Sequence, residues 1–183
     1  MAGKVLSDEE AEQLNSWPPD VARSDLVAHV TLSVEDRRWI RLHRGAAERI
    51  GLAVQLCGLG YLGFVPAELA ATPREVVAFV AKQIGVAVPT FTRYAREVDG
   101  RTRRRHVAAV VEQAGWRVCG PGEWKALGDS LTARALEHDT PSVLFRQALS
   151  QLRTDKVVRP GLDRLMRAVS SARVTAQEEI RRR

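Results

Sequence analysis

The stretch REVVAFVAKQIGVAVPTFTRYAR, Arg74 to Arg96, decides how the chain is built. Two short helices crossing at a sharp angle need a small residue where they touch, a glycine at the bend and apolar anchors on both sides. Ala81 supplies the small contact, Gly85 the turn four residues on, and Val80, Ile84, Val86, Phe91 and Tyr94 fall at the anchoring positions. The spacing predicts a helix-turn-helix. In that register the second helix, from Pro89 to Asp99, projects Thr92, Arg93 and Arg96 away from the core, with Thr90 near its start. Arginine chelates guanine O6 and N7, threonine bonds a base edge or touches a thymine methyl, and a helix N-terminus receives phosphate, so these four are candidate DNA base contacts. A helical hairpin whose polar face meets only water would carry the same pattern.

Immediately downstream lies Arg101-Thr102-Arg103-Arg104-Arg105-His106, with Thr102 placed as an N-cap. Guanidiniums crowding the first turn of a helix oppose its dipole, and phosphate would neutralise them, although a charge run is also the mark of a solvated face. A second strip, Arg37, Arg38, Arg41, Arg44 and Arg49, flanks Trp39 and Ile40. With Lys82, Arg101, Arg103, Arg104 and Arg105 these five are candidate phosphate contacts. His106 reads as a packing or capping residue rather than an acid-base catalyst.

Further out, the punctuation is helical throughout. Ser7 with Glu10 and Ser33 with Asp36 form capping boxes, Thr72-Pro73 and Thr140-Pro141 pair a cap with an N1 proline, and Gly45, Gly85 and Gly115 follow apolar-periodic runs. Helices are predicted near 7–15, 20–29, 34–44, 46–59, 73–84, 89–98, 103–114, 122–137, 141–153 and 161–181, so the fold is all-α. Leu162, Leu165, Met166, Val169, Ala172, Ala176 and Ile180 form the packing face of the last helix. That helix reaches Arg181-Arg182-Arg183 without a cap, as in a chain that continues. Asp99-Gly100 is the preferred internal boundary. It separates acidic lead helices (1–29) and a module holding the helix-turn-helix (30–99) from a second helical module (100–183).

Charge follows this layout. The net is +6 with a pI near 10.0. Residues 1–36 carry 2 basic and 8 acidic side chains, 37–117 carry 14 and 6, and 118–183 carry 12 and 8. A basic block behind an acidic lead suits a polyanionic partner. Cys57 and Cys119 stand apart, outside any CxxC, and the start lacks a signal-peptide apolar region, which leads to the expectation of a reducing, cytoplasmic setting. The weakly polar run 51–65 is too short for a membrane span, so no membrane partner is expected. Gly58-Leu59-Gly60-Tyr61-Leu62-Gly63 matches GxGxxG, but Pro66 follows where a helix should open and Lys82, Gln83 and Ile84 stand where a ribose-binding acid belongs. The motif reads as a helix exit. With no Walker loop, HExxH or GxSxG and four scattered histidines, no catalytic residue, metal site or cofactor is assigned.

Arg44-Gly45-Ala46-Ala47-Glu48-Arg49-Ile50-Gly51-Leu52-Ala53-Val54-Gln55-Leu56-Cys57 resembles a signature near the start of the Tn-three family of replicative transposases. Arg103-Arg104-Arg105-His106 leading to Gly115-Trp116-Arg117, and Val158-Arg159-Pro160-Gly161-Leu162 leading to Leu165-Met166-Arg167, agree in order, so the likeness covers roughly residues 30 to 180. Glu48 stands where that family commonly has Asn, and Gly60 where Arg is common. The resemblance implies tandem helix-turn-helix-like modules that bind double-stranded DNA at terminal inverted repeats, in a nucleoid-associated setting. It also implies self-association through the rest of a longer transposase, and an RNase-H-like catalytic domain that has no counterpart here, hence no enzymatic activity of this piece. The alternative is a helical protein-interaction or regulatory domain that docks a partner on the last helix.

Overall fold

A computed structural model of the chain describes residues 6–138 and 140–182; Arg183, at the end of the terminal arginine run, lies outside them. Among the described residues the elements are α1 (Asp8–Asn15), α2 (Arg23–His29), α3 (Val34–Arg41), α4 (Ala46–Leu62), a 3-10 turn (Leu69–Ala71), α5 (Arg74–Ile84), α6 (Val88–Glu97), α7 (Gly100–Gln113), β1 (Arg117–Val118), α8 (Pro121–Glu137), α9 (Pro141–Thr154), β2 (Val157–Val158) and α10 (Leu162–Arg182). The fold is all-α, with one two-residue parallel ladder pairing Arg117 with Val157 and Val118 with Val158. No single described helix is long and apolar enough to cross a membrane.

Several caps form as their chemistry dictates. Ser7 Oγ accepts from the Glu10 amide at 3.2 Å while Glu10 Oε2 accepts from the Ser7 amide at 2.7 Å. Ser33 and Asp36 close the same reciprocal box at the start of α3. Three caps differ from expectation. Thr72 does not cap α5; Pro73 holds the N-cap position and the Thr72 hydroxyl is buried without a partner. Thr102 does not cap α7, because Asp99, one turn earlier, accepts from the amides of Arg101 and Thr102 at 2.9 Å each and from the Thr102 hydroxyl at 2.7 Å. A carboxylate is the stronger acceptor, and it starts the helix at Gly100. Gly45 ends no helix: α3 stops at Arg41, and Gly45, at φ −88°, is the N-cap of α4.

The chain divides into two compact units, one of residues 13–116 and one of residues 1–12 with 117–183. In the first, α4 is the central post. Every residue from Ile50 to Leu59 is buried, as a helix apolar on all sides must be, and α2, α3, α5, α6 and α7 pack around it. The glycines of the GxGxxG match lie on this post. The helix runs through Gly58 and Gly60 and leaves only at Gly63, φ 82°, so no phosphate-cradling loop precedes a helix here. Asp99 and Gly100 fall inside this unit.

Between α5 and α6 the chain bends by 112°, within the 90–120° of helix-turn-helix pairs. Gly85 makes the bend at φ +67°, a left-handed conformation that costs glycine nothing, and the Ala81 carbonyl accepts from the amides of Gly85 and Val86. Val80, Ala81, Phe91 and Tyr94 are buried as expected; Ile84 and Val86 are half-buried.

The other unit is built on α8, α9 and α10, which pack pairwise. Leu162, Leu165, Val169, Ala172 and Ala176 of α10 face Leu127, Leu131, Leu144 and Phe145 in its core. Met166 is only half-buried, and Ile180, expected on the same stripe, is 56% exposed in the last turn of α10. The Arg164 guanidinium lies 5.0 Å over the Trp124 ring.

At Gly51 a Cβ would stand 2.3 Å from the Tyr94 ring, whereas at Gly128 on α8 it would meet nothing within 4 Å. Gly51→Ala should therefore cost about 1–3 kcal/mol through overpacking, read as a lower urea midpoint. Gly128→Ala should leave the chain as stable or stabilise it by up to about 1 kcal/mol. Equal midpoints for the two variants would contradict the close approach.

Candidate nucleic-acid interface

Helix α6 presents one face inward and one outward. Phe91 and Tyr94, three residues apart, are buried; Thr92, Arg93 and Arg96 are exposed, and Thr90 is half-buried near the first turn. The seat of this helix is polar at its centre. Tyr94 lies on the bare backbone of Gly51, and its oxygen accepts from Gln55 Nε2 at 2.9 Å. Gln55 Nε2 also donates to the Gly51 carbonyl at 3.0 Å, which holds the amide in place.

Because Tyr94 already accepts from Gln55, its own proton goes to His106 Nδ1, 2.7 Å away. That assigns the imidazole proton to Nε2, which points at Glu48 Oε1 at 3.3 Å. The Tyr94 and His106 rings also stack, 14° from parallel with centroids 5.8 Å apart. Gln55–Tyr94–His106 thus ties α4, α6 and α7 into one hydrogen-bonded network, with the Glu48 carboxylate close to His106 Nε2 but not aligned for a hydrogen bond, and the neutral imidazole fits it. Burial holds the His106 pKa below the ordinary histidine value; Glu48 pulls it upward, while Arg105 and His43 push it down. Burial raises the Tyr94 phenol above its usual range, against the hydrogen bond from Gln55.

The candidate phosphate contacts differ in exposure, and Arg41 Nε also donates to the Arg37 carbonyl at 3.2 Å. Arg38, Arg41, Arg44, Lys82, Arg101, Arg104 and Arg105 are exposed. Arg37 and Arg49 are half-buried, and Arg49 Nε has no hydrogen-bond partner. Arg103 differs: its Nη2 donates to the Pro66 carbonyl at 2.6 Å, so part of its guanidinium is spent on the fold. The arginines of α7 do oppose its dipole, and Asp99 answers them locally, its carboxyl held below the usual range by the Thr102 amide and hydroxyl. Among the described residues no three His, Cys, Asp or Glu side chains come close enough to hold a metal ion.

Sequence reasoning passed over two features. Gln55 is the one polar residue in the buried run of α4, a signal that its side chain must bond within the core. Arg74, at the first position of α5, lines a cleft against α6 with Thr72, Thr92 and Arg96.

Residues 5–172 match the family described as a domain of unknown function, DUF4158, and the chain belongs to that family. Over 179 residues it is 33% identical to the transposase for transposon Tn501 of Pseudomonas aeruginosa, an alignment covering 97% of this chain and 18% of that protein. It is 32% identical over 178 residues to the transposase for transposon Tn21 of Escherichia coli, covering 96% and 17%. To the transposase for transposon gamma-delta of Escherichia coli strain K12 it is 28% identical over 178 residues, covering 96% and 18%. The resemblance to Tn-three transposases thus extends over nearly the whole chain, which spans under a fifth of the length of these relatives.

Since the folded His106 pKa lies below its unfolded value, the unfolded chain binds the proton more readily. The stability this provides is present above about pH 6.5, the ordinary histidine value, and is lost as pH falls through the folded pKa. Urea midpoints should drop between about pH 7.5 and 5.5. His106→Asn should be less stable by about 1–3 kcal/mol at the higher pH and show a smaller drop; a parallel drop in both proteins would detach the effect from this residue.

Proposed function

We propose that this chain is a sequence-specific double-stranded DNA-binding module, the part of a Tn-three-type transposase that recognises terminal inverted repeats. The observation that carries this is the outward face of α6. Thr92, Arg93 and Arg96 stand exposed on a helix whose other face is bolted to the central post, at 112° to the helix before it. Arg93 and the threonines address base edges in the major groove. The exposed arginines of α3 and α7, with Lys82, hold phosphates, which position the protein without reading sequence. Catalysis and self-association belong to other parts of such a transposase, and DNA binding would place the protein at the nucleoid. A partner-docking role has less support, since the α10 stripe from Leu162 to Ala176 is already buried within its own unit.

Binding to a duplex recovered by selection from a randomised pool, compared with a scrambled duplex, tests this. Arg93→Ala should cost about 1–3 kcal/mol on the selected duplex and relax preference at one base pair, while Arg104→Ala should weaken both duplexes alike and reduce the salt slope by about one. If both variants lower affinity for both duplexes equally, α6 does not read bases. If wild type binds neither at about 50 mM salt, the chain is no DNA-binding module. A match between the selected sequence and the ends of the element that encodes the chain would identify the inverted repeats as its target.

A further inference from the structure

Beside α6 lies a cleft of about 210 Å³. Its apolar wall includes Val77 and Phe91; its polar lining is Thr72, Arg74, Thr92 and Arg96. Three features of this lining are electrically unsatisfied. First, α5, eleven residues long, begins here behind Pro73 with no side-chain cap on its leading amides. Second, Thr72 is only 8% exposed, yet its Oγ1 has no hydrogen-bond partner. Third, Arg74 and Arg96 place two guanidiniums at one cleft, Arg74 at the positive end of the α5 dipole, and among the described residues neither meets a carboxylate at ion-pair distance. Glu75, the acid in the same turn, faces the Val21 amide at 3.5 Å instead.

Uncapped helix amides, an unspent hydroxyl and two unneutralised guanidiniums share one complement, a tetrahedral oxyanion. We propose that this cleft is a phosphate-binding site. On the DNA-binding function, on which this part rests, the ligand is a backbone phosphate beside the bases that α6 addresses. Arg96 then grips phosphate, and base reading falls to Arg93, Thr92 and Thr90. The same chemistry would accept free phosphate.

The test uses the full chain, Arg74→Gln and Thr72→Val. Arg74 is exposed, so its variant should fold, and replacing an unpartnered buried hydroxyl should not lower the thermal midpoint. In fluorescence anisotropy with a random-sequence duplex between about 50 and 200 mM salt, Arg74→Gln should bind roughly five-fold more weakly and flatten the log–log salt slope by about 0.9, one phosphate lost. Titration of inorganic phosphate should shift the amide resonances of Arg74, Glu75 and Val76 in wild type, and less in both variants. If wild type binds duplex but Arg74→Gln keeps its affinity and slope, the cleft proposal is overturned while the DNA-binding function stands. Phosphate shifts without any duplex binding would support the cleft as a free-phosphate site and remove the DNA-binding function. If neither probe acts on wild type, both fall.

Discussion

The contact of Tyr94 with Gly51 is the constraint on which the 13–116 unit depends. Any side chain at residue 51 would hold α6 off the central post, and without the Tyr94 ring the helix would have only Phe91 as a fully buried anchor, while the phenol's hydrogen bonds with Gln55 and His106 fix the ring in place. A ring on bare backbone sets the distance; the hydrogen bonds set the rotation. Rotation matters most here, since a turn of one residue position, about 100°, would carry Arg93 off the outer face. The arrangement has a cost. Gln55 Oε1 is buried without a partner, and the network is best satisfied with the imidazole neutral.

Electrostatics points outward in the same unit. Positive charge sits at the starts of both α5 and α7, where the helix dipole disfavours it. In α7 the fold itself answers with Asp99, and Arg103 is drawn onto the Pro66 carbonyl. In α5 the acid of the first turn, Glu75, faces the Val21 amide, and no described carboxylate lies at ion-pair distance from Arg74. Similar local chemistry thus ends in a side-chain-capped helix in one place and in a helix start without a side-chain cap, at the rim of a cleft, in the other.

The signature shared with the transposases gains a physical reading from this. Gly51 and Gln55 lie inside α4 and serve the seating of α6, so that part of the likeness concerns how an outward helix is held rather than what it touches. Glu48, half-buried on the same helix, lies 3.3 Å from His106 Nε2 at the edge of that network.

Helix positions were legible in the linear chain because caps, prolines and apolar period are local physics. Among the described residues each of the ten predicted runs holds an α-helix, and α6 turns out the residues its three- and four-residue spacing predicted. What local physics could not decide were competitions between neighbours for one role. Asp99 displaced Thr102 as a cap because its carboxylate binds two amides and the hydroxyl together; Pro73 took the N-cap position from Thr72. Only tertiary structure could bring Gln55, Tyr94 and His106 into one network, spend Arg103 on Pro66, or place Arg74 and Arg96 along one cleft. The reason is distance along the chain. Partners 12, 37 or 39 residues apart are invisible to periodicity, and they meet because the buried run of α4 had to be surrounded.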